Sequence, residues 1–452
     1  MIKISLIITV YNTSEYLRRI FDSCIYQTLK DIEIIAVNDN SPNSRDSKIM
    51  REYENKYKNK FRCLWSNNEN LGPGGARNMG IIASNGEYFQ VIDADDYIEL
   101  DMCEKMYNKA VTDGSELVAC HALVLKNGTS YILCGDVDLR KNPLSYNQQV
   151  WKYLVKKSLI LDNQLFFPEK TVADDCISAL WYLTANKISV IKQPFYHWIR
   201  REDSFSSRYL AESFSEVILV LEKIYSYPAY SMLDKDSKYC FITFSRKLIY
   251  LAFMIVLIKK PCLLFDLCVN IKRVVSLYYS EFNFVGECMK TTNINCSPKK
   301  QLIDHTIEYI CNNIGISDFE NNVRDFYEQI WLDYFINQLS SIVPEYESKT
   351  YCLWGAGVFG KFYANCLEKT NLKFVITDIN PIKHGTKITE EHSVSSWSDV
   401  EEHTDVILVT LYDGFESVKS ELENDFNIDS SKINILDINN LIESVLITNK
   451  DK

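Results

Sequence analysis

Short apolar runs alternate with amphipathic stretches from the first residues of the chain. "KISLIITV" (3–10), "IEIIAV" (32–37), "FRCLW" (61–65) and "EYFQVI" (87–92) have the length and the β-branched or aromatic content of strands. Between them lie stretches with helical spacing: "SEYLRRIFDSCIYQ", with Ser14 as the expected N-cap, a helix near 45–59, and one from about Gly74 to Ala83. Strands separated by helices of this length predict βαβ units and a mostly parallel sheet. Such sheets keep their ligands at the carboxyl ends of the strands. Here those ends read "TVYN", "NDNSPN", "NNENLGPGG" and "DADD", all polar or glycine-rich.

From about Tyr209 to Ile342 the pattern turns helical, rich in Leu, Ile, Tyr and Phe and poor in glycine. "YCFITFSRKLIYLAFMIVLIKKPCLLFDLCVNIKRVVSLYY" is apolar almost all round, with basic residues interspersed. A buried helical core or a homo-oligomer interface is expected; docking on a membrane surface is the alternative. The longest unbroken apolar run, Leu248 to Ile258, has 11 residues, too few to cross a bilayer. A second αβ pattern begins near Lys349: a strand, then Gly355-x-Gly357-x-x-Gly360, a helix, another strand and Asp378. "DVILVT" (405–410) and "INILDI" (433–438) supply further strands. The expected organisation is an αβ domain over 1–208, a helical region over 209–348 and a Rossmann-like α/β domain over 349–452.

The length of 452 residues agrees with two or three domains. A formal charge of -11 argues against a general nucleic-acid binder, which needs a basic face, but leaves room for a local phosphate site. The 14 cysteines include no CxxC pair and several sit in apolar runs, which suits buried free thiols in a reducing compartment. The apolar start is too short for a signal peptide and continues as a strand, so a cytoplasmic location is expected.

Five places carry candidate chemistry. Asp39, just past the second strand, can accept a hydrogen bond from a nucleobase or ribose; an Asx turn is the plain alternative. In "NLGPGGARNMG" (70–80) the glycines permit close backbone approach, and Arg77 near a helix start hints at a phosphate, against the alternative of a solvated loop. "DADD" sets Asp93, Asp95 and Asp96 at the end of an apolar strand, where Asp-x-Asp can hold a hard divalent cation together with a substrate phosphate. Farther on, Asp174 and Asp175 open a helix, one as a cap and the other free to act as a general base. "YHWIRREDSFSSR" gathers His197, Arg200, Arg201, Ser204 and Ser206, donors suited to a diphosphate.

In order, "SLIITVYNTSEYLRRIFDSCIYQTL", "EIIAVNDNSPNS", "NLGPGGARNMGI", "YFQVIDADDYI", "FPEKTVADDCI" and "YHWIRREDSFS" resemble the family 2 glycosyltransferases of the GT-A fold, over roughly residues 1–208. The resemblance implies that Thr9, Tyr11 and Asp39 hold the base and ribose of a nucleotide-sugar donor, with uridine the usual base, and that Arg77 is the family's "ARN" arginine. Asp93 and Asp95 match the D-x-D that binds donor and metal, Mn²⁺ or Mg²⁺, with Asp96 as an additional contact. Asp175 inherits the role of catalytic base, although the family's usual Glu-Asp is Asp174-Asp175 here. Arg201, Ser204 and Ser206 match the family's late R-x-x-S-x-S, and His197 stands where an aromatic residue is common, able to complete a metal shell. The implied reaction is an inverting transfer to a hydroxyl of a glycan, polysaccharide or lipid-linked acceptor. The C-terminal pattern resembles the small Rossmann-like domains appended to sugar-modifying enzymes, where Gly355, Gly357, Gly360 and Asp378 would take a nucleotide such as NAD(P). An NAD(P)-dependent oxidoreductase and a non-catalytic scaffold are the alternatives.

Overall fold

The computed structural model describes residues 1–66, 69–126, 129–133, 138–143, 149–169, 175–200, 210–259, 263–277, 298–313, 319–356, 358–378, 383–410, 419, 422–424, 426, 428 and 434–437. Two compact units emerge. The first contains Met1–Ile249, and the second takes up the chain from Tyr250 and includes the C-terminal sheet. Their division falls inside the helix Lys235–Lys259, so the helical stretch expected over 209–348 contributes to both.

The first unit is built on a nine-stranded sheet. Its parallel part comprises β1 (Ile4–Val10), β2 (Ile32–Asn38), β3 (Phe61–Trp65) and β4 (Tyr88–Asp93), in the order β3-β2-β1-β4. β2 is buried along its whole length and β1 almost so, which explains runs without apolar/polar alternation: helices cover both faces. Helices α1 (Leu17–Ile25), α2 (Ser44–Lys56) and α3 (Gly72–Ala83) make the crossovers. Phe21 of α1 meets Tyr53 of α2 and Phe61 of β3 edge-on at 5.1 and 4.8 Å, tying three elements into one core. Beyond β4 the sheet turns mixed. A two-residue strand, β5 (Tyr97–Ile98), follows β4, then come α4 (Met102–Asp113), β6 (Leu117–Lys126), β7 (Thr129–Leu133), β8 (Tyr153–Lys156), α5 (Lys157–Asn163), α6 (Asp175–Thr184) and β9 (Ile188–Arg200). β8 joins β4 antiparallel, and β9 pairs with both β6 and β5.

Two local expectations need correction. Ser14 does not cap α1: the cap position is Tyr16, and Ser14 Oγ instead accepts a bond from Asn43 Nδ2 at 3.1 Å. The helix containing the 11-residue apolar run is far longer than that run, spanning Lys235–Lys259 through Ser245, Arg246 and Lys247. Its segment Lys235–Leu257 has the length and hydropathy of a membrane span (mean hydropathy 1.8), but 83% of its most apolar window is buried within the molecule. A short apolar run is therefore no argument against a long apolar helix.

In the second unit β10 (Thr350–Trp354), β11 (Lys373–Thr377), β12 (Val394–Ser395), β13 (Val406–Val409) and β14 (Asn434–Asp437) form an all-parallel sheet ordered β12-β11-β10-β13-β14. Counted within the unit this is 3-2-1-4-5, the doubly wound order. Gly355 follows β10 with φ +111°, and the helix Val358–Leu367 starts next. A Cβ on Gly360 would lie 1.9 Å from the carbonyl oxygen of Gly355, so only glycine lets the helix approach the turn this closely.

Candidate active site

The parallel register brings the polar strand ends of the first unit to one edge. Thr9 lies opposite Asp93, Val10 opposite Asn38, and Asn38 opposite Trp65. The loops after β1 and β2 are laced together: Asn12 N donates to Ser41 Oγ at 3.0 Å, Thr13 N to Asp46 Oδ2 at 3.2 Å, and Ser41 Oγ to the same carboxylate oxygen at 2.7 Å. Asn12 and Asn40 both adopt φ +54°, a left-handed conformation that Asn tolerates, and this lets both loops turn sharply. Tyr11 is thereby left 50% exposed beside buried Asp39. Asp39 Oδ1 accepts the N–H of Leu71 at 2.7 Å, and its main-chain oxygen accepts from Asn70 Nδ2 at 3.2 Å. Burial raises its pKa, while the N–H groups of Leu71 and Gly72 pull it back. Asp39 thus holds the loop into α3 as well as facing the strand edge.

Arg77 sits elsewhere than a helix start. With α3 beginning at Gly72 and Pro73 in its first turn, Arg77 lies in the second turn, beyond the reach of the dipole that would call for a bound anion. Its anion is in the protein: Nη2 donates to Asp93 Oδ1 at 3.0 Å, and the guanidinium lies 5.4 Å from the ring centre of Phe167. A second cation, Arg19 of α1, donates through Nη2 to the carbonyl oxygen of Asp95. Arg77 thus pairs directly with one carboxylate of the cluster, while Arg19 brings a second cation to its backbone.

The three carboxylates then part company. Asp93 keeps 31% of its side chain exposed and Asp95 is half-buried, whereas Asp96 is 1% exposed. Asp96 Oδ2 accepts the Tyr196 hydroxyl at 2.7 Å, and Oδ1 accepts Ile199 N at 2.8 Å. Tyr196 Oη in turn accepts the Asp93 N–H at 3.1 Å. Burial, reinforced by Asp95 and Asp93, pushes the Asp96 carboxyl well above the usual range. Asp96 is therefore the pin that fastens the turn to β9, and the expected additional donor contact is corrected to this role. His197 is likewise packed: it stacks on Tyr97 at 4.2 Å with the rings 8° apart, and Nε2 lies 2.7 Å from Glu99 Oε1. Its anchoring to Glu99 gives the metal-shell reading no support.

Asp175 is the first residue of α6. Its side chain, with Asp174, Arg201, Ser204, Ser206 and Gly357, lies outside the described residues. α6 itself is well anchored: Trp181 Nε1 donates to Leu165 O at 2.8 Å and its ring meets Phe89 of β4 at 6.0 Å. Among the described residues no group of three or more His, Cys, Asp or Glu side chains is arranged to hold a metal. Sequence reasoning missed Arg19, Tyr196 and Phe167, whose partners lie 76, 103 and 89 positions away and leave no local pattern.

In the second unit Asp378 is buried. Its Oδ2 accepts Ala356 N at 2.8 Å and Lys383 Nζ at 2.7 Å, while its carbonyl oxygen lies 2.9 Å from His384 Nε2. The acid at the end of β11 is thus bonded to the glycine turn and to a lysine five residues on.

Comparison with known proteins bears on the first unit. Residues 5–142 match the model of the family described as Glycosyl transferase family 2. The putative glycosyltransferase EpsH of Bacillus subtilis (strain 168) is 32% identical over 235 residues, 48% of this chain and 67% of EpsH. The cholesterol galactosyltransferase of Borreliella burgdorferi is 30% identical over 228 residues, 45% of this chain and 62% of that protein. The poly(ribitol-phosphate) beta-N-acetylglucosaminyltransferase TarS of Staphylococcus aureus (strain Mu50) is 27% identical over 241 residues, 49% of this chain and 40% of TarS. Among solved structures, S. aureus TarS 1-349 in complex with UDP-GlcNAc superposes with a TM-score of 0.58 at 18% identity, covering 73% of this chain and 92% of that one. That likeness establishes a GT-A type α/β fold.

Proposed function

The chain belongs to glycosyl transferase family 2, and from that premise we propose that it moves a sugar from a uridine-diphosphate donor to a hydroxyl of a glycan, polysaccharide or lipid-linked acceptor, with inversion at the anomeric carbon. The observation that carries the reading is the turn after β4, where Asp93 and Asp95 stay at the sheet edge while Asp96 and Arg77 hold the turn in place. Tyr11 offers an exposed ring to a base, and Asp39 a carboxylate to the base or ribose.

The donor set fits a hard divalent cation such as Mn²⁺ or Mg²⁺, which binds through one or two carboxylates and fills its remaining positions with water and substrate phosphate. Such an ion, when bound, neutralises the diphosphate and makes it a better leaving group. Asp93 and Asp95 would hold it, the former with one oxygen committed to Arg77. Asp175 takes the proton of the acceptor hydroxyl as its oxygen attacks the anomeric carbon, and the bond from that carbon to the diphosphate breaks on the opposite face. Arg201, Ser204 and Ser206 are assigned the departing diphosphate, where charge-assisted donors act as negative charge builds. The oxidoreductase alternative rests on the second unit alone, where Asp378 Oδ2 is engaged by Ala356 N and Lys383 Nζ.

The test compares D175N with the native protein. D175N is expected to bind the UDP-sugar within about twofold of native and to lose about 10³-fold in transfer. Full transfer by D175N would refute the assignment.

A further inference from the structure

α3 touches two things at once. Arg77 grips the D-x-D turn, and its neighbour Asn78 grips the chain that leads to α6. Asn78 is buried, and its amide makes two bonds to the backbone of one residue: Nδ2 donates to Phe167 O, and Oδ1 accepts Phe167 N, both at 2.9 Å. One turn back, Gly74 lies so close that a Cβ there would sit 2.5 Å from the Pro168 carbonyl oxygen and 3.2 Å from Phe167 Cβ. The ring of Phe167 packs edge-on against Trp181 of α6 at 5.1 Å, and Trp181 Nε1 donates to Leu165 O at 2.8 Å. A continuous set of contacts therefore runs from Asp93 through Arg77 and Asn78 to Phe167 and Trp181, and so to the helix that Asp175 opens.

We infer that Asn78 is a positioning residue for the transfer reaction, fixing the helix that carries the base at a set place relative to the turn that carries the donor. The inference rests on the assignment of Asp175 as base. A side-chain amide is the group that can satisfy a buried N–H and a buried C=O of the same residue, a pairing otherwise made by a neighbouring strand. Loss of the clamp leaves both Phe167 groups buried and unpaired and frees the segment before α6. The hydrogen bonds that fasten the donor turn, from Arg77, Arg19 and Tyr196, do not involve Asn78, although the Arg77 guanidinium also lies over the Phe167 ring.

The experiment measures kcat for transfer and the calorimetric Kd for the UDP-sugar in N78A, N78D, G74A and D175N of the full chain. N78A is expected to lose about 10²-fold in kcat, the cost of a misplacement on the order of an ångström, with the donor Kd within about twofold of native. N78D, which retains the acceptor for Phe167 N–H but sets a carboxylate oxygen against Phe167 O, is expected to lose at least as much kcat as N78A. G74A, which pushes the same segment from the other side without touching the amide, lowers kcat with the same unchanged Kd. Native kcat in both N78A and G74A overturns the inference, as does a donor Kd that rises in step with the loss of kcat. Native transfer by D175N strikes instead at the assignment of the base, so the two failures are told apart.

Discussion

Both units end parallel strands in aspartate, yet the two ends differ in where the counter-charge comes from. At β4 the cations arrive from other elements, Arg77 from α3 and Arg19 from α1, and the carboxylates of Asp93 and Asp95 remain at the sheet edge. At β11 Asp378 Oδ2 is bonded to the adjacent glycine turn and to Lys383, five residues along. The first arrangement ties a turn to elements distant in sequence; the second joins a turn to its own neighbour. An acidic residue after a strand is thus a weak sign of a binding site until the origin of its partner is known.

The sharpest way to break that contrast is to remove the brace. R77A leaves Asp93 without its buried partner and is expected to cost about 3 kcal/mol of stability of the first unit in urea unfolding, together with most donor affinity. The corresponding change in the second unit should be gentler and functionally silent. D378A strands the N–H of Ala356, costing about 1–2 kcal/mol in the unfolding of the second unit, with transfer unaltered. K383A, at a side chain 41% exposed, should cost less than ~1 kcal/mol. The smallest effect concerns Asp96. Its folded pKa lies above the unfolded value of ~3.9, so the folded state keeps the proton where the unfolded state has released it. Stability is therefore fully present below the unfolded pKa and falls as pH rises toward the folded one. D96N should flatten that slope, read as melting temperature against pH; a native slope would place its origin elsewhere.

The sequence made the scaffold legible because βαβ alternation is local: each run of apolar residues declares its own strand. It also marked Asp93 and Asp95, because charge at the end of an apolar run is visible without coordinates. It could not separate Asp96 from them, since the distinction lies in Tyr196 and Ile199 across the sheet. Arg77 was seen, but read through a helix start two residues too late, which turned an internal ion pair into a hint of phosphate. Asn78 stood in the quoted motif, and nothing near it in sequence betrays Phe167 as its partner. The long helix Lys235–Lys259 was underestimated because an unbroken apolar run measures composition, whereas a helix continues through Arg246 and Lys247 without interruption.

The central claim is that the donor is held by the turn after β4 in the first unit. Calorimetric titration of UDP with Mn²⁺ into native protein, D95N and D378A tests it most directly. One UDP per chain is expected in the native protein and in D378A with equal affinity, and at least ~100-fold weaker binding in D95N. Native affinity in D95N, or its loss in D378A, would contradict it.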